Sequence, residues 1–274
     1  MYEEISYEKH GAAAVVTLNR PPTLNALTGR MQAELRHAIG QSERDPDIFG
    51  IVLTGAGRGF CSGVDMGWLA EMSAAGRRTG TSYPHLEATP GDPSLGENFA
   101  AGYTYFLTVR KPIIAAINGA AAGLGMSITL FCDLRFGCPE TKFVTSFSAR
   151  GLVAEHGQSW MLPRLIGPSR ALDLFFSSRK VGADEAYAMG LLDRVVETEQ
   201  LLDEACAYLD TLSTSTAQYS LMMMKRQVYR HLNAELGPAM SETQHWMDES
   251  LAREDFKEGV ASFQESRTPR FSPI

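Results

Sequence analysis

Short apolar runs, separated by stretches with helical spacing, set the rhythm of the first half of the chain. Ile5 to Glu8, Ala13 to Leu18 and Phe49 to Leu53 read as strands, and Ile113 to Ile117 as another that is apolar at every position. Runs this short and continuous suit strands covered on both faces. Between the second and third runs, Met31, Leu35, Ala38 and Ile39 make one apolar stripe. They predict a helix from its capping residue Thr28 to about Arg44. Strand and helix in alternation predict an α/β layout with parallel pairing. The rhythm lapses over 73–96, where Gly76, Gly80, Pro84, Pro90, Gly91, Pro93 and Gly96 stand among polar residues; a loop of this length is commonly a lid. Glu97 to Val109 predicts a helix carrying Phe99, Tyr103, Phe106 and Leu107. From 198 onward the spacing is helical throughout, with helices over Thr198–Leu212, Thr216–Leu232, Leu236–Ser250 and Glu254–Ser266. The run Leu221 to Met224 is expected to fill core.

Two strand-to-helix junctions stand out by their small residues. After the run Ile51 to Leu53 come glycines 55, 57, 59 and 63, then a helix-competent segment from Asp65 to Met72. After Ile113 to Ile117 comes Asn118-Gly119-Ala120-Ala121-Ala122-Gly123-Leu124-Gly125, opening a helix that is apolar on nearly all sides and is expected to be buried. Small residues let backbone approach a ligand closely. A helix start leaves N–H groups unpaired, and there a developing negative charge is stabilised. Two such starts can give one N–H each to a single oxygen, which makes an oxyanion hole.

These segments resemble the crotonase superfamily, the enoyl-CoA hydratase and isomerase family. The matching pieces include Leu18-Asn19-Arg20-Pro21, Asn25-Ala26-Leu27, Thr54-Gly55-Ala56-Gly57, Phe60-Cys61-Ser62-Gly63-Val64-Asp65-Met66 and Ala116-Ile117-Asn118-Gly119 through Gly125. They continue with Cys132-Asp133-Leu134, Leu162-Pro163-Arg164-Leu165-Ile166-Gly167, Ala183-Asp184-Glu185-Ala186 with Gly190-Leu191, and Phe256-Lys257-Glu258-Gly259-Val260 with Phe263. The resemblance covers almost the whole chain, in the family's order. It implies an α/β fold, a crotonase-like spiral of repeated ββα units over 1–197. A helical C-terminal oligomerisation region over 198–274 would make a homotrimer or a dimer of trimers.

Composition narrows the partners. The 274 residues are 44% hydrophobic and can bury a substantial core. A net charge of −7 argues against a nucleic-acid surface, because phosphate backbones need a basic excess. Cysteines 61, 132, 138 and 206 show neither a CxxC pair nor a metal-ligand spacing, so they read as buried reduced thiols with no metal site. Ala12 to Leu18 is too short for a membrane segment. The expectation is a cytoplasmic protein with no membrane contact.

By the resemblance, an acyl-CoA thioester is held with its carbonyl oxygen between the N–H groups of Val64 and Leu124; coenzyme A is part of the substrate and no further cofactor is expected. Leu124 stands where the family usually has glycine. The coenzyme and acyl chain are expected beside Arg20, Ala26, Arg58, Ser62, Gly63, Asp65, Met66 and Gly123, with Phe263 reaching a neighbouring subunit's coenzyme. Asp65 also suits the N-cap of the helix it begins. The two glutamates of the best-known hydratases are replaced by Ser127 and Phe147, so their paired-carboxylate mechanism does not transfer. Glu155, in Gly151-Leu152-Val153-Ala154-Glu155-His156-Gly157, stands where several family branches carry an aspartate. It is the main acid/base candidate, with Val153 and Trp160 expected to bury it and His156 as its companion. Hydration of an enoyl-CoA leads by family assignment. The alternatives are double-bond isomerisation by a single carboxylate, or a weakly catalytic acyl-CoA-binding protein.

Overall fold

The computed structural model describes residues 2–76, 82–99 and 101–274; Gly80 of the long loop and Ala100 of the helix expected over 97–109 lie outside them. In chain order the elements are β1 (Ile5–His10), β2 (Ala13–Leu18), α1 (Gly29–Arg44), β3 (Gly50–Gly55), β4 (Gly59–Cys61), α2 (Met66–Ala75), β5 (Ile113–Ile117), β6 (Ala120–Ala122) and α3 (Leu124–Phe131). They continue with β7 (Leu134–Gly137), β8 (Lys142–Val144), α4 (Gln158–Ile166), α5 (Pro168–Ser177), β9 (Val181–Gly182), α6 (Ala183–Ala188), β10 (Arg194–Val195), α7 (Leu201–Ser215), α8 (Gln218–His231), α9 (Leu236–Leu251) and α10 (Glu254–Gln264).

The strands sort into two sheets. One has the order β1-β2-β3-β5-β7-β10, the other β4-β6-β8-β9. The segments β3-β4-α2, β5-β6-α3 and β7-β8-α4 each place a first strand in the large sheet, a second in the small one, and then a helix. That is the spiral of ββα turns. Pairing is parallel from β2 to β10 and from β4 to β8, with antiparallel pairs only at β1/β2 and β8/β9.

Both faces of the large sheet are covered over its central strands, which is why β5 is apolar without alternation and β2 and β3 nearly so. Val16, Leu53, Ile113, Ala115 and Ile117 face a core shared with Met31, Leu35, Ile39 and α3. Val15, Val52, Ile114 and Phe136 face Leu201, Ala205, Cys206 and Leu209 of α7. Asp133, after α3, accepts hydrogen bonds from Ile113 N at 2.7 Å, Lys225 Nζ at 2.7 Å and Tyr229 Oη at 3.0 Å, and so ties α8 to the sheet edge.

Two expectations are corrected here. Among the described residues between 97 and 109, Glu97–Phe99 and Thr104–Thr108 form 3-10 turns and no α-helix is present. Their aromatic spacing reflects wrapping onto the core, where Phe99, Tyr103, Tyr105 and Phe106 are all buried. The run Leu221 to Met224 buries only Met223. Met224 is 57% exposed, as are Val228, Leu236, Met240 and Met247 to similar or greater degrees, so α8 and α9 carry an apolar face outward.

Candidate active site

The first glycine-rich loop is held by two side-chain amides, Asn25 buried and Asn118 half-buried. Asn25 Nδ2 donates to the carbonyls of Ala56 at 3.0 Å, Gly59 at 2.8 Å and Phe60 at 3.2 Å, while its Oδ1 accepts from Arg20 N at 2.8 Å. Asn118 Nδ2 donates to Gly55 O and Gly57 O, each at 2.8 Å. The loop backbone is therefore satisfied by side chains where no strand partner reaches it.

Beyond the loop, Leu27 bridges to Val64 in parallel. Leu27 N donates to Gly63 O at 2.7 Å, and Asp65 N donates to Leu27 O at 2.9 Å. In this pattern the N–H of Val64 points to the opposite edge. Leu124 is the first residue of α3, so its N–H has no partner within the helix. Among the described residues neither N–H has a hydrogen-bond acceptor. The two are close: a methyl group on Gly63, whose φ is +104°, would stand 3.0 Å from Ala122 O and 3.8 Å from Leu124 N. Gly125 permits the contact from the other side, since a methyl there would lie 2.3 Å from Cys61 O.

Asp65 caps α2 as its sequence position suggests, accepting from Gly67 N at 3.0 Å and Trp68 N at 3.4 Å. Burial pushes the Asp65 carboxyl upward, but hydrogen bonds from Arg20, Trp68 and Gly67 outweigh it and hold the group below the usual carboxylate range. The Arg20 guanidinium is accordingly taken up inside the protein, by Ala26 O at 2.6 Å, Asp65 at 3.0 Å and Glu4 at 3.5 Å. Arg58 is exposed, Ser62 Oγ donates to Thr23 O at 2.9 Å, Ala26 is buried, and Met66 stands 66% exposed at the start of α2.

The loop 151–157 brings Glu155 and His156 together. His156 Nε2 lies 3.2 Å from Glu155 Oε2, and both side chains are partly buried. His156 has a φ of +52°, a left-handed conformation uncommon outside glycine, and its ring lies 6.5 Å from that of buried Tyr103. Val153 is 77% exposed and does not cover Glu155, contrary to expectation; Trp160 instead stacks with Arg164 at 4.0 Å.

Gln158, three residues on, is fully buried and was not singled out by the sequence. Its Nε2 donates to Gly123 O at 2.8 Å and to Ser127 Oγ at 2.9 Å, which fastens the loop 151–157 to the start of α3. Ser127 and Phe147 are buried too. Among the described residues the phenol of Tyr103 has no hydrogen-bond partner, and burial holds its pKa well above the usual value.

Phe263 lies elsewhere. It is 86% exposed on α10 and lines a cavity of about 850 Å³ with Met223, Met224, Trp246, Met247 and Phe256. All four cysteines are free and buried, and among the described residues no three His, Cys, Asp or Glu side chains gather as a metal site. No helix among the described residues is long and apolar enough to cross a membrane.

A spiral of ββα turns with two facing helix starts is the crotonase architecture. The sequence model of the enoyl-CoA hydratase/isomerase family matches residues 8–273. A probable enoyl-CoA hydratase of Mycobacterium tuberculosis is 32% identical over 271 residues, covering 99% of this chain and 98% of its own. The 1,2-epoxyphenylacetyl-CoA isomerase of Escherichia coli is 30% identical over 276 residues, covering 99% of both chains. A crystal structure of an enoyl-CoA hydratase from Geobacillus kaustophilus superposes with a TM-score of 0.84 at 31% identity, covering 99% of this chain and 98% of that one. The chain belongs to the enoyl-CoA hydratase/isomerase family of enzymes.

Proposed function

We propose that this enzyme binds an acyl-CoA thioester, stabilises the thioester enolate at the N–H groups of Val64 and Leu124, and moves protons with Glu155. The observation that carries the reading is the closeness of two unpaired backbone donors on converging loops. Such donors cost no reorganisation when charge develops on the carbonyl oxygen. Glu155 enters because Gln158 holds its loop against Gly123, the residue before one donor. His156, in contact with the Glu155 carboxylate, is a second proton-holding group.

Hydration of an enoyl-CoA is assigned first. Relatives carry that name, and a carboxylate with a histidine beside it can take a proton from water while another is delivered to carbon. Isomerisation is the second reading. It is favoured by Ser127 and Phe147, which leave one carboxylate where paired chemistry would want two, and shifting a double bond needs only one group to remove and return a proton. Coenzyme A is part of the substrate, and no further cofactor enters this reading. The outward apolar face of α8 and α9, with Phe263 on α10, fits a C-terminal region over 198–274 that packs on a second subunit of a homotrimer or dimer of trimers in the cytoplasm.

Glu155→Gln is expected to bind acyl-CoA as the parent does and to lose turnover by roughly a hundredfold or more. Crotonyl-CoA and a β,γ-unsaturated enoyl-CoA assayed side by side assign the reaction. Undiminished turnover in the variant would remove Glu155 from the mechanism, and activity on neither thioester would leave an acyl-CoA-binding protein.

A further inference from the structure

Gly123 O is an unusually well-served carbonyl. It accepts from Ser127 N at 3.1 Å, as the first bond of α3, from Gln158 Nε2 at 2.8 Å, and from Ser127 Oγ at 3.4 Å. The second N–H of the Gln158 amide meets Ser127 Oγ at 2.9 Å, so amide, hydroxyl and carbonyl form a closed triangle. The orientation of the amide follows from chemistry, because a carbonyl can only accept and Nε2 must face it. The opposite end of the amide is left without support: Gln158 Oε1 is buried with no hydrogen-bond partner among the described residues. A buried acceptor without a partner is destabilising, so an apolar side chain of the same length would serve packing better.

What this triangle touches explains why an amide stands here. Gly123 C=O and Leu124 N–H belong to one planar peptide unit. A hydrogen bond donated to the oxygen draws electron density along the unit and makes the N–H at its other end a stronger donor. We infer that Gln158, assisted by Ser127, is a positioning residue for the oxyanion donor of Leu124: it fixes the plane of that peptide and polarises its N–H toward the thioester oxygen. The inference rests on the reading of Leu124 as a donor. It gives a use to the serine that stands where the better-known hydratases place a glutamate. Ser127 does not replace that carboxylate as a base, because a neutral hydroxyl is a weak base and this one is held between Gly123 O, to which it donates, and Gln158 Nε2, from which it accepts.

The test uses Gln158→Met, which preserves length and volume and removes both donors. Butyryl-CoA, with a heavy-carbon label at the thioester carbonyl, is saturated and cannot be hydrated or isomerised, and its carbonyl stretch is followed by difference infrared spectroscopy. In the parent protein the band is expected to move to lower frequency on binding. In Gln158→Met that displacement shrinks, and kcat on the productive enoyl-CoA falls roughly three- to tenfold, with KM within about twofold. Ser127→Ala takes from the carbonyl only the long 3.4 Å contact and from Gln158 the acceptor of its second N–H, but leaves the 2.8 Å Gln158 donor on Gly123 O, and is expected to shift the band less than Gln158→Met does. Should methionine prevent cooperative folding, Gln158→Leu gives the same comparison. A folded Gln158 variant that keeps the parent's band displacement overturns the inference even if its turnover falls, because loss of packing alone lowers rate without touching the carbonyl. A parent band that does not move on binding overturns the oxyanion reading itself, and this inference with it.

Discussion

Gly63→Ala puts the convergence of the two loops under direct strain. The residue sits at φ +104°, where an alanine is disfavoured by ~1–3 kcal/mol. The new methyl would stand 3.0 Å from Ala122 O, nearer than the ~3.3–3.6 Å usual for carbon against a carbonyl oxygen. Relief requires the ends of β4 and β6 to part by a few tenths of an ångström. Two short bonds resist this: Leu27 N to Gly63 O at 2.7 Å on one side, and Gly123 N to Val144 O at 2.9 Å on the other. A total loss of about 2–4 kcal/mol follows. The methyl also lies 3.8 Å from Leu124 N, where it crowds the place of a bound oxygen. A misplacement of this order in an oxyanion hole costs roughly a hundredfold in kcat. Gly76→Ala is the control. That residue has φ +61° but, among the described residues, no atom within 4 Å of the added methyl, so it reports backbone strain alone, about 1 kcal/mol, with turnover intact. Chemical denaturation and steady-state turnover on crotonyl-CoA are measured for both variants. If Gly63→Ala matches Gly76→Ala in stability and keeps turnover within about threefold of the parent, the two loops do not meet as described.

Asn25→Ala should lower the unfolding free energy by about 2–4 kcal/mol, because it strips one buried amide from three loop carbonyls and from Arg20 N; a loss under about 1 kcal/mol in urea titration would show that water replaces it freely. Asp65→Ala should cost about 1 kcal/mol as a lost helix cap, with a further contribution from the Arg20 pair. The folded Asp65 carboxyl lies below its ordinary value of 3.8, so its contribution is complete above that pH and is lost as pH falls through the lower folded value. The stability gap between parent and Asp65→Ala should therefore close below about pH 3.8, and a gap that widens on acidification would contradict the cited hydrogen bonds.

The parts legible in the sequence are those whose cause is local. Continuous apolar runs gave β2, β3 and β5, since strands covered on both faces carry no polar alternation. Thr28 and Asp65 were recognisable as caps because a cap acts on N–H groups two or three residues away, and the structure has Thr28 Oγ1 accepting from Met31 N at 3.0 Å. What the sequence did not show has the opposite property. Residues 97–109 have helical spacing of aromatics, but burial of Tyr103 and Tyr105 against the core, fixed by distant elements, selects short 3-10 turns instead. Arg20 carries a charge suited to phosphate, yet Glu4 and Asp65, far apart in sequence, meet it in the fold. Gln158 shows how much a local reading can miss at a site. By composition it is one more polar residue at a helix start, and nothing near it in sequence says that it is fully buried or that its amide meets a carbonyl 35 residues earlier. A reading by carboxylates alone registers Ser127 as a loss. In three dimensions the same position belongs to a hydrogen-bonded triangle on Gly123 O, behind the N–H proposed as an oxyanion donor, so on that reading the change from the two-glutamate pattern alters how protons are handled and leaves the proposed carbonyl site supported. On the proposed reading, proton transfer falls to Glu155 and His156, and enolate stabilisation to backbone groups that no side-chain motif can report.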